Sequence, residues 1–278
     1  MASIVANKMR KNISYIHLPI LKHMILRFDT SLIEKYKNSS QKIRVMSEDW
    51  VGKNIYCINC GAPNIDTQPN NNKAGDFICP SCRREYELKS KKDSLGKKIN
   101  DGAYQTMIDK IKTNTQPNFF FLNYTNTFEV KNLLLIPKHF FTSAIIEKRN
   151  PLSATAQRAN WVGCNILFSK LPESGKIYII KNGVFEDKDR TRKLREKGMF
   201  LNEEKNQEKK GRILDTMNCV DKIHDDEFSL DQIYEFESIL KTKYPNNNFI
   251  KDKLRQQLQI LRDKGIIEFL GRGKYRKI

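Results

Sequence analysis

Apolar residues gather in strand-length runs through the first two thirds of the chain and in helical stripes through the last third. Asn118–Tyr124 and Phe128–Ile136 are nearly continuous apolar runs, suited to the buried centre of a sheet, with Asn126-Thr127 in the turn between them. Lys176–Phe185 reads as a further strand broken at Asn182-Gly183, and short strands alternate with two cysteine pairs from Tyr56 to Ser90. In a strand over residues 84–90, Tyr86 and Leu88 face one side and Glu85, Glu87 and Lys89 the other. Leu32, Ile33 and Tyr36, with Ser31 as N-cap, predict a first helix to about Lys37, and a second is expected around Ile43–Val51. Asp101 is placed to cap a helix over residues 102–112, where Tyr104, Ile108 and Ile111 have helical spacing.

Toward the C-terminus the period changes. Ser229 opens a helix with Gln232 at capping-box spacing, and Ile233, Phe236 and Leu240 continue it to Pro245. A second helix over residues 247–264 carries the stripe Ile250, Leu254, Leu258 and Leu261 and ends at Gly265. Ile266–Phe269 and Lys274–Ile278 then form two short strands around Gly271-Arg272-Gly273. Before this unit, Glu186–Lys210 is dense in charge and poor in large apolar residues, which predicts a solvated helix plus linker and a domain boundary.

Composition narrows the partner. The 278 residues have room for one or two domains, and 39% of them are apolar, enough for real cores. Lys and Arg number 50 against 32 Asp and Glu, a net charge of +18. An excess of that size concentrates polyanions, so nucleic acid is the leading partner. No run approaches the ~18 apolar residues of a membrane span. The basic N-terminal segment lacks the continuous apolar core and cleavage site of a secretory signal. The chain therefore reads as cytoplasmic, where cysteines serve metals more often than disulfides.

Cys57-Ile-Asn-Cys60 and Cys79-Pro-Ser-Cys82 form two C-x2-C knuckles separated by eighteen residues. Four thiolates at this spacing close a tetrahedral zinc site, and a closed shell leaves no position for substrate, so the zinc is expected to be structural. Asp76 lies three residues before Cys79, and Glu87-Leu88-Lys89 follows Cys82. If the knuckle folds the chain back, Asp76 comes beside Glu87. Two carboxylates and a lysine at one strand end suit metal-assisted phosphodiester hydrolysis, with oxygen ligands for magnesium and a lysine that orients or activates water. Other chemistries find less support. There is no phosphate loop, and His17, His23, His139 and His224 are widely separated. Cys164 and Cys219 read as core residues.

Several segments then resemble one family, the DpnI-like methyl-directed restriction endonucleases. They are Tyr36–Lys42, Glu48–Val51, Glu87–Lys92, Ile99–Tyr104, Trp161–Ile166, Arg255–Lys264 and Gly271–Lys277, in a similarity that runs from Met24 to the end. The resemblance implies cleavage of double-stranded DNA at GATC sites carrying methylated adenine, by a protein expected to be monomeric in solution. It also implies an α/β (α+β) PD-(D/E)xK catalytic domain with an inserted four-cysteine zinc site over residues 24–205. A winged-helix domain over residues 206–278 would be a second reader of the methylated site. Asp76, Glu87 and Lys89 fall on the catalytic motif, with Asp76, Glu87 and Leu88 as the magnesium-binding positions, and Cys57, Cys60, Cys79 and Cys82 fall on the zinc ligands. The motif's usual proline before the aspartate is Gly75 here. Residues 1–23 have no counterpart and read as a poorly ordered extension or a start-codon artefact, with Met24 as the alternative initiator.

The C-terminal unit divides its second helix in the way a groove helix requires. Gln256 and Gln259 lie opposite the apolar stripe with Arg255 and Arg262 flanking, so amides and guanidinium groups face base edges and phosphates. Arg272, Lys274, Arg276 and Lys277 around the Gly-x-Gly turn make a basic wing for phosphate contacts. Trp161 is the candidate wall of a methyl-base pocket. The competing reading is a zinc-ribbon and winged-helix regulator in which Asp76, Glu87 and Lys89 are ordinary surface residues and nothing is cut.

Overall fold

The computed structural model describes residues 25–69 and 75–278. The expectation for residues 1–23 lies outside the described residues. In chain order the elements are α1 (Ser39–Asn54), β1 (Asp66–Thr67), β2 (Phe77–Ile78), β3 (Glu85–Lys92), β4 (Ile99–Ala103), α2 (Tyr104–Thr113), β5 (Asn118–Tyr124), β6 (Val130–Ile136), β7 (Ile146–Lys148), β8 (Gly163–Ile166), β9 (Ile177–Lys181) and β10 (Val184–Phe185). There follow α3 (Lys188–Lys197), α4 (Phe200–Glu203), α5 (Gln207–Lys222), β11 (Glu227–Ser229), α6 (Leu230–Tyr234), α7 (Glu237–Lys243), α8 (Ile250–Asp263), β12 (Ile267–Gly271) and β13 (Lys274–Lys277).

A seven-stranded sheet in the order β1-β2-β3-β5-β6-β9-β10 organises the larger part of the chain. Among the described residues only β3 and β5 pair in parallel, with Glu87 opposite Phe119 and Lys89 opposite Phe121. A parallel pair needs a crossover, and β4 with α2 supplies it. The apolar run of β5 is continuous because both faces of the sheet are covered. Phe120 and Leu122 join α1, Trp50, Tyr86 and the cysteines on one face. Phe119 and Phe121 join α2, the small sheet β4-β8-β7 and the C-terminal third on the other. Tyr86 stacks on Phe120 with ring centroids 4.8 Å apart and planes within 11°. Burying either ring contributes about 1.5–3 kcal/mol.

The C-terminal unit carries a three-stranded sheet in the order β11-β13-β12 against α5 and α8. Ser229 and Gln232 form the reciprocal capping box. Ile250, Leu254, Leu258 and Leu261 are buried as the stripe predicts. Gly271, Arg272 and Gly273 all have positive φ at the wing turn, which explains the glycines that flank the arginine. The unit is docked on the larger one. Glu173 N donates to the Asp221 carboxylate at 2.8 Å, Asn218 donates to the Lys170 carbonyl at 2.9 Å, and one hydrophobic cluster runs through Phe140, Leu201 and Ile213.

Several expectations need correction. The helix from Ser229 to Pro245 is two, α6 and α7, because the chain tightens at Glu235-Phe236, where Phe236 N donates to the Ile233 carbonyl. The N-terminal helix is a single 3-10 turn, Thr30–Ile33, capped by Asp29 and not by Ser31. Ser143–Ile145 and other short turns link the strands after β6. The charge-rich stretch of residues 186–210 is not a linker. It contains α3 and α4, and Thr191, Leu201 and Lys210 are buried. Its charges cover the outward faces of short helices whose inward faces are narrow, so composition hides the docking. Strands β4, β7, β8 and β11 are not marked in the sequence pattern, because strands of three to five residues carry few alternations. Helix α5 was also missed, although Ile213, Leu214, Met217 and Val220 have helical spacing and are buried.

Candidate active site and metal centre

The four cysteines of the two knuckles come together, all sulfurs within 4.8 Å of one another. Cys57 Sγ lies 3.6 Å from Cys82 Sγ, and Cys60 Sγ lies 3.6 Å from Cys79 Sγ. Zinc–sulfur bonds of ~2.3 Å at tetrahedral angles set sulfurs ~3.8 Å apart, so the cluster has the size of a tetrathiolate zinc site. The knuckles repeat one backbone pattern. Gly61 N donates to the Cys57 carbonyl at 2.8 Å and Arg83 N to the Cys79 carbonyl at 2.9 Å. Both Gly61 and Arg83 take left-handed φ, at 80° and 58°. Burial pushes the Cys57 thiol up to about 12, a cost that a bound divalent cation would reverse. Arg195 lies within electrostatic reach of Cys57 and Tyr86, where it would offset the negative charge of a zinc-bound tetrathiolate.

Strand β3 ties this cluster to the carboxylates. Its Tyr86 hydroxyl is 3.1 Å from Cys57 Sγ on one face, while Glu87 and Lys89 project from the other. Asp76 is brought alongside by the β2–β3 hairpin. Its N–H donates to the Tyr86 carbonyl at 2.9 Å, and its Oδ2 accepts from Leu88 N at 2.7 Å. Gly75 precedes it with φ 110°, and a Cβ there would sit 2.8 Å from the Tyr86 carbonyl oxygen. Proline, with φ fixed near −65°, does not fit that backbone, so the hairpin entry before Asp76 requires glycine here.

Lys89 Nζ is 2.5 Å from Glu87 Oε1 and 2.5 Å from Asp101 Oδ1. Burial alone would lower the lysine, but the two carboxylates outweigh it and hold the ammonium above its usual range. Glu87 is pushed up, first by burial and then by the charges of Asp101 and Asp76, against the pull of Lys89. Glu48, on α1, is pushed up to about 7 by burial and by the charge of Asp76, with Arg44 opposing. Four carboxylates, Asp76, Glu87, Asp101 and Glu48, thus gather with one buried ammonium, Lys89, and a 3.9 Å contact from Arg44 to Glu48, so acids outnumber cations in the cluster. Carboxylates crowded to this degree suit a hard divalent cation such as magnesium, with Asp76 and Glu87 as oxygen donors beside the Leu88 backbone.

Sequence reasoning missed Asp101 and Glu48. Asp101 does not cap α2, whose N-cap is Ala103 with no side-chain bond; its carboxylate is taken by Lys89. A signal existed, since Ile99, Asp101 and Ala103 alternate and Ile99 is buried, which puts an acid on an inward face. Glu48 had none, because its partner Asp76 is 28 residues away in sequence. Cys164 and Cys219 are buried core residues as expected.

Trp161 stands two residues before β8, the strand that pairs with β4. Tyr104 N donates to the Val162 carbonyl at 3.0 Å, and Cys164 is the register partner of Asp101. The indole is half-buried, with the Arg158 guanidinium 4.6 Å from its ring centroid. A Cβ on Gly163 would fall 2.7 Å from the ring, so glycine there lets the indole lie against the backbone.

On α8, Arg255, Gln256, Gln259 and Arg262 are exposed together, and Gln257 is buried. Arg255 sits 5.5 Å over the Tyr234 ring, and Arg262 pairs with Asp263. On the wing Arg272 and Lys274 are exposed, whereas Arg276 bridges Glu227 and Glu268 across its own sheet. Among the described residues, no helix is long and apolar enough to cross a membrane.

Two family models match this chain. One, described as DpnI: Dam-replacing family, covers residues 24–204, and the other, described as Dam-replacing HTH domain, covers residues 208–277.

Proposed function

Because the chain belongs to the Dam-replacing family over most of its length, we propose that it is a magnesium-dependent endonuclease that cuts double-stranded DNA at adenine-methylated GATC sites. The observation that carries the reading is the convergence of Asp76, Glu87 and Lys89 beside β3, in a cluster where acids outnumber cations. A PD-(D/E)xK arrangement accounts for that convergence. Residues 24–205 form the catalytic unit in this reading and residues 206–278 the winged-helix unit. Asp76, Glu87 and the Leu88 carbonyl would hold magnesium, which when bound supplies charge neutralisation at the scissile phosphate and a more acidic water. Lys89, kept cationic by its two carboxylate neighbours, holds a proton and a positive charge where water and phosphate oxygens approach. The cysteines hold zinc as a structural metal, and Tyr86 transmits that rigidity to the strand that carries the chemistry.

Discrimination of a methyl group is a small-energy problem. Burying one methyl contributes ~0.8 kcal/mol, roughly a fourfold preference. A large preference requires several contacts, such as a methyl on each strand, an apolar wall at Trp161 and a second reading by α8. In that second reading Gln256 and Gln259 address base edges, while Arg255, Arg262, Arg272 and Lys274 address bases or phosphates. Arg276 contributes less, since its guanidinium is shared between two carboxylates.

Purified protein incubated with magnesium and with plasmid from adenine-methylating and non-methylating hosts tests this directly. The expected result is fragments at GATC from the methylated plasmid alone. A gel shift without cleavage would favour a DNA-binding regulator, and equal cutting of both plasmids would remove methyl direction.

A further inference from the structure

Asp101 is a carboxylate that the proposed chemistry does not require as a ligand, yet it is buried beside the reactive lysine. Its side chain is 6% exposed, and its Oδ1 is 2.5 Å from Lys89 Nζ. It reaches there from a different sheet. Strand β4 pairs with β8, and the register slips between Asp101 and Ala103, a bulge. Bulges re-aim single side chains, and this one turns the carboxylate inward. Cys164, its register partner, lies behind it with Sγ 3.5 Å from the Gly102 carbonyl and 4.0 Å from Asp101 Oδ2. Apart from that weak thiol contact, the carboxylate is committed to Lys89. A buried carboxylate without a cation is strongly disfavoured, so the pair is a built feature.

The two partners of Lys89 are not equivalent. Glu87 lies beside Asp76, in the cluster suited to a cation, so a bound cation competes with Lys89 for its oxygens. Asp101 is anchored in β4, away from the β2–β3 hairpin. We propose that Asp101 is a positioning residue for the DNA-cleavage reaction, holding the Lys89 ammonium in place when Glu87 turns to the metal. This rests on the endonuclease reading given above.

The consequence is a separation of rate from binding. A displaced ammonium slows the chemical step, and misplacement of ~1 Å costs about 100-fold. The Asp101 side chain is buried, so removing its charge should leave the exposed surface unchanged. Asp101→Asn, zinc-loaded and compared with wild type, should cleave methylated GATC plasmid about 10–100-fold more slowly in single turnover. Its affinity for the same duplex, measured with calcium in place of magnesium, should stay within about threefold. Cleavage at the wild-type rate would overturn the proposal, and so would an affinity loss that matches the rate loss. Should Asp101→Asn fail to fold, Asp101→Glu decides. It keeps the charge but moves it by one methylene, and it should slow cleavage with binding retained; a wild-type rate there counts against the proposal equally. No cleavage by the wild-type protein would refute the endonuclease reading and this inference with it, whereas an active wild type beside an equally active Asp101→Asn refutes this inference alone.

Discussion

Replacing Glu48 by glutamine should stabilise the magnesium-free protein, and by more at pH 8 than at pH 5.5. The Glu48 carboxyl is 15% exposed, it feels the charge of Asp76, and Arg44 reaches it only at 3.9 Å. Its value in the fold is about 7 against an ordinary 4.5. Below both values the group is neutral in the folded and unfolded chains and costs nothing. Between them the unfolded chain ionises and the folded one does not, and above about 7 the fold holds a charge it disfavours. The group therefore removes stability as pH rises from 4.5 to about 7 and leaves it low above that. A displacement of this size corresponds to about 3 kcal/mol when fully expressed. Residual solvent access and a high effective dielectric bring the expected gain from Glu48→Gln at pH 8 to about 1–3 kcal/mol. At pH 5.5 the gain should be roughly half as large. Urea unfolding of zinc-loaded protein across this range, followed by circular dichroism, measures it. Magnesium should shrink the difference in part, because a cation at Asp76 would relieve the charge contribution and leave that of burial. A gain that does not change with pH, or a loss at pH 8, would refute the electrostatic coupling of α1 to Asp76.

Three further outcomes follow from the same geometry. Glu87→Ala and Lys89→Ala should each abolish cleavage while retaining binding to methylated GATC duplex in calcium; wild-type cleavage by either would take that residue out of the chemistry. Metal analysis should find about one zinc per chain, and Cys79→Ser should lower the melting temperature along with activity, because metal binding in a small thiolate site is folding energy. Zinc-free protein that melts like the native form would remove the structural role. Lys274→Ala should weaken binding to all duplexes and flatten its salt dependence by about one phosphate contact. Arg276→Ala should change the salt dependence less, because Glu227 and Glu268 already hold that guanidinium. Equal salt slopes for the two variants would contradict that distinction.

The features legible in the sequence are short-range ones. The C-x2-C spacing fixes a knuckle within a few residues, so both pairs close as expected around left-handed Gly61 and Arg83. Strand alternation alone separates Tyr86 from Glu87 and Lys89, and it sends one to the cysteines and the others to the carboxylates. The Ser229 capping box, the apolar stripe of α8 and the Gly-Arg-Gly turn likewise depend on neighbours within one or two turns of chain. Tertiary structure decided the partnerships. Asp101 reads locally as a helix cap and becomes the partner of Lys89 because β4 packs across from β3. Glu48 lies within the predicted second helix and is perturbed because packing buries it and brings it to Asp76. Arg276 reads as a free wing cation and is held by acids on two other strands. Periodicity states which side of an element turns inward, since that depends on backbone geometry alone. Which charge waits there depends on residues far away along the chain, and packing alone brings them within the few ångströms over which ion pairs act.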